Sequence, residues 1–140
     1  MRPDSVERHT LSNILDTGSY TINHLNTSIY KQAHQTSARY PKEASEFDAT
    51  GLSTEYKFNC KAPFVEESNI QLEMEFKQRI DLAINNTIMI IGEIKNIYIP
   101  DNCMQEDGFL DIEKAGTITC SGLDSYHLTN SLARLPYAKV

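Results

Sequence analysis

Apolar and polar side chains alternate along residues 70–82, and this pattern constrains the fold more than any other feature of the chain. The apolar side chains stand at even positions: Ile70, Leu72, Met74, Phe76, Ile80 and Leu82. The odd positions are polar: Gln71, Glu73, Glu75, Lys77, Arg79 and Asp81. Because successive side chains of a strand point to opposite faces, the pattern predicts a strand with one face on a core and the other in water. Such a strand would be about 40 Å long at roughly 3.3 Å per residue, so it must twist and coil, which favours a barrel.

The residues that follow predict a turn and a return strand. Asn85 and Asn86 tolerate the positive φ of a tight turn, and residues 87–99 are rich in isoleucine. The apolar parity changes between Ile94 and Ile97, which predicts one extra residue, a β-bulge, in the return strand. Gly92 is either a packing glycine or a point where a backbone or a flat ligand approaches closely.

A hairpin built in this way has a predicted inner and outer face. We expect these side chains to be buried: Ile70, Leu72, Met74, Phe76, Ile80, Ile88, Ile90 and Ile94. We expect these to be exposed: Glu73, Glu75, Lys77 and Arg79.

Composition bounds the remaining possibilities. A chain of 140 residues is expected to form one domain, and a net charge of −6 argues against a nucleic-acid surface. No apolar run is long enough for a membrane span and the start carries no secretory signal, so we expect a cytoplasmic protein with no membrane partner. Cys60, Cys103 and Cys120 lack CxxC spacing, which predicts free thiols rather than a disulfide framework or a zinc site.

The other segments predict short elements around the hairpin. Helical spacing, capping residues and β-branched runs indicate these bounds: a helix at 11–17, a strand at 19–25, a helix capped by Asn26 and continuing to about Ala38, a capped helical turn at 45–48, a strand at 52–58 and a strand at 116–120.

Motifs for catalysis are absent from the sequence. Neither a Gly-rich phosphate loop nor a GxSxG elbow occurs, and the four histidines have no ligand partners at helical spacing, so we predict no metal site and no catalytic side chain. One local feature has two interpretations. Arg8, Thr10 and Asn13 stand at the start of the first helix, where a cation, a hydroxyl and free amides favour a phosphate. The alternative is an ordinary capped helix with a solvated arginine.

Several stretches, in order along most of the chain, resemble one known family. They are residues 8–14 (RHTLSNI) with 16–18 (DTG) and 22–23 (IN), 45–52 (SEFDATGL), 62–68 (APFVEES), 91–94 (IGEI), 122–127 (GLDSYH) and 134–139 (RLPYAK). Together they are similar to the flavin reductase-like, FMN-binding split-barrel family, which includes flavoredoxins. The resemblance implies a mainly β split barrel with short helices that binds FMN, or alternatively FAD, at a homodimer interface.

The resemblance also implies a function and a set of site residues. The expected function is an NAD(P)H-linked flavin reductase or a flavoredoxin-like electron carrier, in which the flavin supplies the chemistry. Arg8, Thr10 and Asn13 would bind the flavin phosphate, and His127 would lie near the flavin ring. Arg8 stands where the family often has Lys, and His9 where it often has Asp.

The family domain usually has further strands before the position of Arg8. We therefore expect residues 1–140 to represent the C-terminal two thirds of the split barrel, incomplete at the N-terminus. Long unpaired strand edges then predict a dimer, a larger species or aggregation rather than a stable monomer. The alternative is a non-enzymatic relative that folds as a dimer and binds flavin weakly or not at all.

Overall fold

The computed structural model describes residues 9–58 and 60–140 and is mainly β, as the sequence predicted. Its helices are α1 (His9–Thr17), α2 (Tyr30–Gln35) and α3 (Glu46–Thr50), with a 3-10 turn at Asp101–Cys103. Its strands are β1 (Ser19–Asn23), β2 (Thr54–Glu55), β3 (Phe64–Val65), β4 (Gln71–Leu82), β5 (Thr87–Tyr98), β6 (Thr119–Ser121) and β7 (Ser125–His127). No helix in these ranges is long and apolar enough to cross a membrane.

The predicted long hairpin is confirmed. Strands β4 and β5 pair antiparallel, and β1 adds to the other side of β4, giving the order β1-β4-β5. Asn86 has a φ of 52° in the turn, and Asn85 accepts hydrogen bonds from the backbone N–H and the hydroxyl of Thr87. The small β2–β3 and β6–β7 pairs stand as separate two-stranded sheets.

The predicted bulge in β5 is also confirmed. Glu73 pairs with Asn96 and Met74 pairs with Ile94, so Lys95 is the extra residue. A second bulge lies on β4, where Phe76 pairs with Gly92 and Gln78 with Ile91. Bulges increase the local twist, which suits a sheet that curls toward a barrel.

Gly92 is explained by packing inside the protein. A Cβ at this position would overlap the hydroxyl of Tyr20 and lie 2.8 Å from its Cζ atom. The close neighbour is therefore the side chain of β1, which lies across the sheet. This favours the packing interpretation of the glycine.

The core lies at the start of the hairpin. Ile70, Cys103 and Ala115 form a buried cluster, against which Leu72, Ile99 and Leu110 pack. Phe64 and Met74 are buried as well.

The burial predictions were partly right. Ile70 and Met74 are buried, and five of the predicted core residues are half-buried: Leu72, Phe76, Ile80, Ile88 and Ile90. The prediction for Ile94 was wrong, because its side chain is 50% exposed on the edge strand of the sheet. Lys77 and Arg79 are exposed as predicted. Glu73 and Glu75 are only half-exposed, because the Glu75 carboxylate pairs with lysines and Glu73 accepts hydrogen bonds from β5.

The short elements differ from prediction mainly in length. Helix α2 begins at Tyr30 rather than at Asn26, because the Asn26 side chain accepts from the Ser28 N–H and donates to the Glu67 carbonyl. The capped turn is confirmed as α3, with Ser45 accepting from the Asp48 N–H. The strand predicted at 52–58 is reduced to Thr54–Glu55.

Candidate functional site

A groove of about 410 Å³, which we call the α1 groove, lies beside β1 and contains two of the predicted phosphate-binding residues. Its walls come from α1, β1, α3 and the segment 61–63. The lining residues are Thr10, Asn13, Ile14, Thr17, Ser19, Tyr20, Thr21, Asn23, Glu46, Phe47, Lys61, Ala62 and Pro63. Seven of these 13 residues carry a side-chain hydroxyl or amide, while apolar atoms make up the larger part of the lining surface, so the groove suits a ligand with both polar and apolar parts.

Helix α1 provides the first wall. Thr10 and Asn13 are three residues apart and so share one face of the helix, and both line the groove. Buried Ile14 anchors the helix. The Ile14 carbonyl accepts a hydrogen bond from the Gly18 N–H, and Gly18, with a φ of 69°, ends the helix. The first amides of a helix lack internal partners and carry partial positive charge, which favours an anion. Arg8, the predicted cation, lies outside the described residues.

Strand β1 fixes the opposite wall through its side chains. The Thr21 hydroxyl donates to the Pro63 backbone carbonyl at 2.7 Å, and the side-chain Oδ1 atom of Asn23 accepts from the Val65 N–H at 3.2 Å. The Ser19 hydroxyl lies 3.4 Å from the Cys60 thiol. These bonds hold the segment 60–65 against β1, because a five-residue strand presents alternate side chains along one edge of the groove.

A cluster of buried and half-buried side chains packs behind the same segment. The Lys57 ammonium donates to Gln71 at 2.6 Å and lies 4.5 Å from the centre of the Tyr98 ring. Phe64 packs edge-on against Tyr98 at 5.4 Å. Burial, followed by the neighbouring Glu73 carboxylate, raises the pKa of Tyr98, so this phenol stays neutral and donates to Glu73.

The groove contains one cation among its described residues, and the sequence did not indicate it. Lys61 lies on the wall that β1 fixes, while Glu46 and Phe47 of α3 line the groove as well. Lys61 is far from α1 in the sequence and belongs to no local motif for anion binding. Its only signal was its position directly before the APFVEES stretch.

His127 lies elsewhere in the described chain. It lines a separate cavity of about 210 Å³ together with Tyr30 and Tyr126. Its Nε2 atom is 2.8 Å from the Ser121 hydroxyl and 3.2 Å from that of Ser125. The structure therefore brings Thr10 and Asn13 together but not His127, whose role near a flavin stays a prediction.

Metal-binding clusters are absent from the part of the chain that the structure describes. No group of three or more histidine, cysteine, aspartate or glutamate side chains in residues 9–58 and 60–140 could hold an ion. The three cysteines are free thiols.

Known proteins resemble this chain in sequence and in fold. Residues 5–115 match the flavin reductase like domain. A split-barrel protein from Shewanella frigidimarina NCIMB 400 is 54% identical with a TM-score of 0.90, over 93% of this chain and 66% of that one. The flavoredoxin of Desulfovibrio vulgaris (Miyazaki F) is 21% identical with a TM-score of 0.77, over 92% of this chain and 68% of that one, and so shares the fold. A protein from Aquifex aeolicus (strain VF5) is 26% identical over 113 residues, 81% of this chain and 57% of its own length.

The open sheet, the short helices and the groove at a helix start define a split β-barrel of the flavin reductase-like kind. Because the matching domain covers most of the chain, the chain belongs to the flavin reductase like domain family, as the sequence predicted. The chain spans 57% of the length of the Aquifex relative and 66% of the Shewanella frigidimarina protein.

Proposed function

We propose that this chain is a flavin-binding oxidoreductase domain that binds FMN with its phosphate in the α1 groove. The observation that carries the proposal is the meeting of Thr10, Asn13 and the start of α1 in one groove of a flavin reductase like domain. The residues present fit a phosphorylated flavin, because hydroxyl, amide and helix N–H groups are the donors that a phosphate accepts from.

Each residue has a defined part in this proposal. Thr10 donates its hydroxyl and Asn13 its side-chain amide to the phosphate, and Arg8 adds a full charge. His127 contacts the flavin ring only if the assembled protein brings its cavity next to the groove. When bound, the flavin supplies the hydride or electron transfer, so the part of the chain's own residues is to bind the flavin and orient it. NADH or NADPH is the proposed reductant, and FAD is the alternative flavin. The proposed location of the protein is the cytoplasm.

The proposed assembly is a homodimer. Ile22, Leu72 and Ile97 lie side by side across β1, β4 and β5, and Ile22 and Ile97 are 44% and 52% exposed. With Ile94 they form an apolar strip on the sheet, which we call the isoleucine strip. An exposed strip of this kind beside strand edges favours association.

The second candidate is a non-enzymatic relative that folds as a dimer and binds flavin weakly or not at all. The exposed isoleucine strip fits this candidate too, because it favours a dimer whether or not flavin binds in the groove.

An absorbance spectrum of the purified protein, with and without added FMN, separates the two candidates. Bound FMN that survives gel filtration, and that NADH or NADPH reduces, supports the oxidoreductase. Protein that is incubated with FMN and then elutes from gel filtration without colour supports the non-enzymatic relative. Riboflavin, which lacks the phosphate, is the matched control ligand and should bind at least about tenfold more weakly if the groove holds the phosphate.

A further inference from the structure

We infer that Lys61, in addition to the proposed contact of Arg8, makes the groove select phosphorylated over unphosphorylated flavin. This inference rests on the proposed placement of the FMN phosphate in the α1 groove and adds a binding residue that the sequence did not indicate.

The first step is the position of Lys61. It lines the same groove as Thr10 and Asn13, and its side chain is exposed to solvent. An ammonium group on a flexible four-carbon stem can turn toward a phosphate that is held at the start of α1.

The second step is that the Lys61 charge is available. Within residues 9–58 and 60–140, Lys61 forms no ion pair or hydrogen bond through its side chain. Other lysines of the hairpin and its neighbouring loop are already paired: Lys57 with Glu55 at 3.1 Å, Lys77 with Glu75 at 2.8 Å and Lys95 with Glu75 at 3.2 Å. A phosphate therefore breaks no existing pair when Lys61 turns toward it.

The third step is that the residues on either side of Lys61 are held in place. Cys60 is 7% exposed and lies against Ser19, and the Pro63 carbonyl accepts from Thr21. Only the lysine side chain has to become ordered when a ligand binds. A fixed backbone and a free charge together are what a selective electrostatic contact requires.

The fourth step concerns the balance of charge in the groove. Glu46 also lines it, and a carboxylate repels a phosphate. Without Lys61, the described residues of the groove would present one negative charge and no positive one. Lys61 offsets Glu46 and leaves the positive end of α1 to attract the anion.

The test compares four variants by titration with FMN and with riboflavin, followed by quenching of flavin fluorescence. Lys61→Gln should weaken FMN binding roughly three- to tenfold and leave riboflavin within about twofold. Lys61→Arg should keep the preference for FMN. Glu46→Gln should tighten FMN by a similar factor, because it removes the opposing charge. Lys114→Gln, which removes one positive charge outside the groove lining, is the matched control and should change nothing.

The outcomes separate this inference from the proposed function. If the unaltered protein prefers FMN and Lys61→Gln keeps that preference in full, the Lys61 inference is overturned while the groove remains the phosphate site. If Lys61→Gln weakens FMN and riboflavin alike, the inference is overturned too, because the effect then lies outside the phosphate. If the unaltered protein binds FMN no better than riboflavin, or binds neither, the phosphate placement and the Lys61 inference both fail. Far-UV circular dichroism checks that each variant is folded.

Discussion

Substituting Gly92 by alanine should test how β1 packs on the hairpin. A Cβ at position 92 would lie 2.8 Å from Cζ and 2.9 Å from Cε1 of Tyr20, and would overlap the hydroxyl. Because the aromatic ring is rigid, these atoms move only together, by rotation of the whole side chain. Tyr20 pairs with Met74 on the neighbouring strand, so such a rotation also disturbs the buried side of β4.

Two opposing effects set the expected loss of stability. Adding a methyl group to a packed site usually costs about 1–3 kcal/mol. Replacing glycine by alanine also stabilises the folded state by about 0.4–1 kcal/mol, because the unfolded chain loses freedom. Overpacking outweighs this gain, so the free energy of unfolding should fall by about 1–2 kcal/mol. For a chain of this length the Tm should fall by roughly 3–8 °C.

Urea denaturation of four proteins measures this effect as a double-mutant cycle. They are the unaltered chain, Gly92→Ala, Tyr20→Ala and the double variant. Once the ring is gone, Gly92→Ala should be neutral or stabilising. An equal loss of stability in both backgrounds would show that the contact with Tyr20 is not the cause and would refute the packing account of Gly92.

Three further predictions address the phosphate, the assembly and the pH dependence of stability. Arg8→Ala should weaken FMN binding about tenfold and riboflavin hardly at all, by the same titration; equal losses would contradict a phosphate contact. Ile94→Glu should convert the dimer to a monomer, as measured by sedimentation. Ile84→Glu is the control, because that side chain is 93% exposed and lies outside the isoleucine strip, and it should leave the dimer intact. A dimer that persists in Ile94→Glu would exclude the strip as the interface. Burial lowers the pKa of His24 from its ordinary value of 6.5, because the folded protein disfavours the charged imidazole. The stability that depends on neutral His24 is therefore present above pH 6.5 and is lost as the pH falls through the lowered pKa. The urea midpoint of His24→Gln should lack this loss, and a pH profile identical to that of the unaltered protein would contradict the prediction.

The hairpin could be predicted from the sequence because its information is local. Alternation fixes which residues share a face, and Asn86 and the parity change near Lys95 mark the turn and the bulge. Burial is a different quantity, because it depends on what covers each face. The sequence therefore placed Ile94 correctly on the apolar row but could not show that this row is half-exposed at the edge of the sheet.

The site was harder to predict because distant residues build it. Thr10 and Asn13 lie on one helix and follow from helical spacing. Lys61 reaches the groove only because Thr21 and Ser19 hold its segment, and no periodicity links residues that are so far apart. Helix α2 was predicted too long for the same reason, since the long-range bond from Asn26 to the Glu67 carbonyl takes the place of a helical cap.

Strand β1 couples the packing of the hairpin to the shape of the groove. Its side chains alternate: Tyr20 lies over the sheet toward Gly92, while Ser19 and Thr21 bind the segment that carries Lys61. Because Tyr20 also lines the groove, a shift of its ring should widen or narrow the groove without changing its charges. Gly92→Ala should then weaken FMN and riboflavin by similar factors, whereas Lys61→Gln should weaken FMN alone. Measuring both ligands on both variants distinguishes a change of shape from a change of charge, and a selective loss of FMN in Gly92→Ala would refute this coupling.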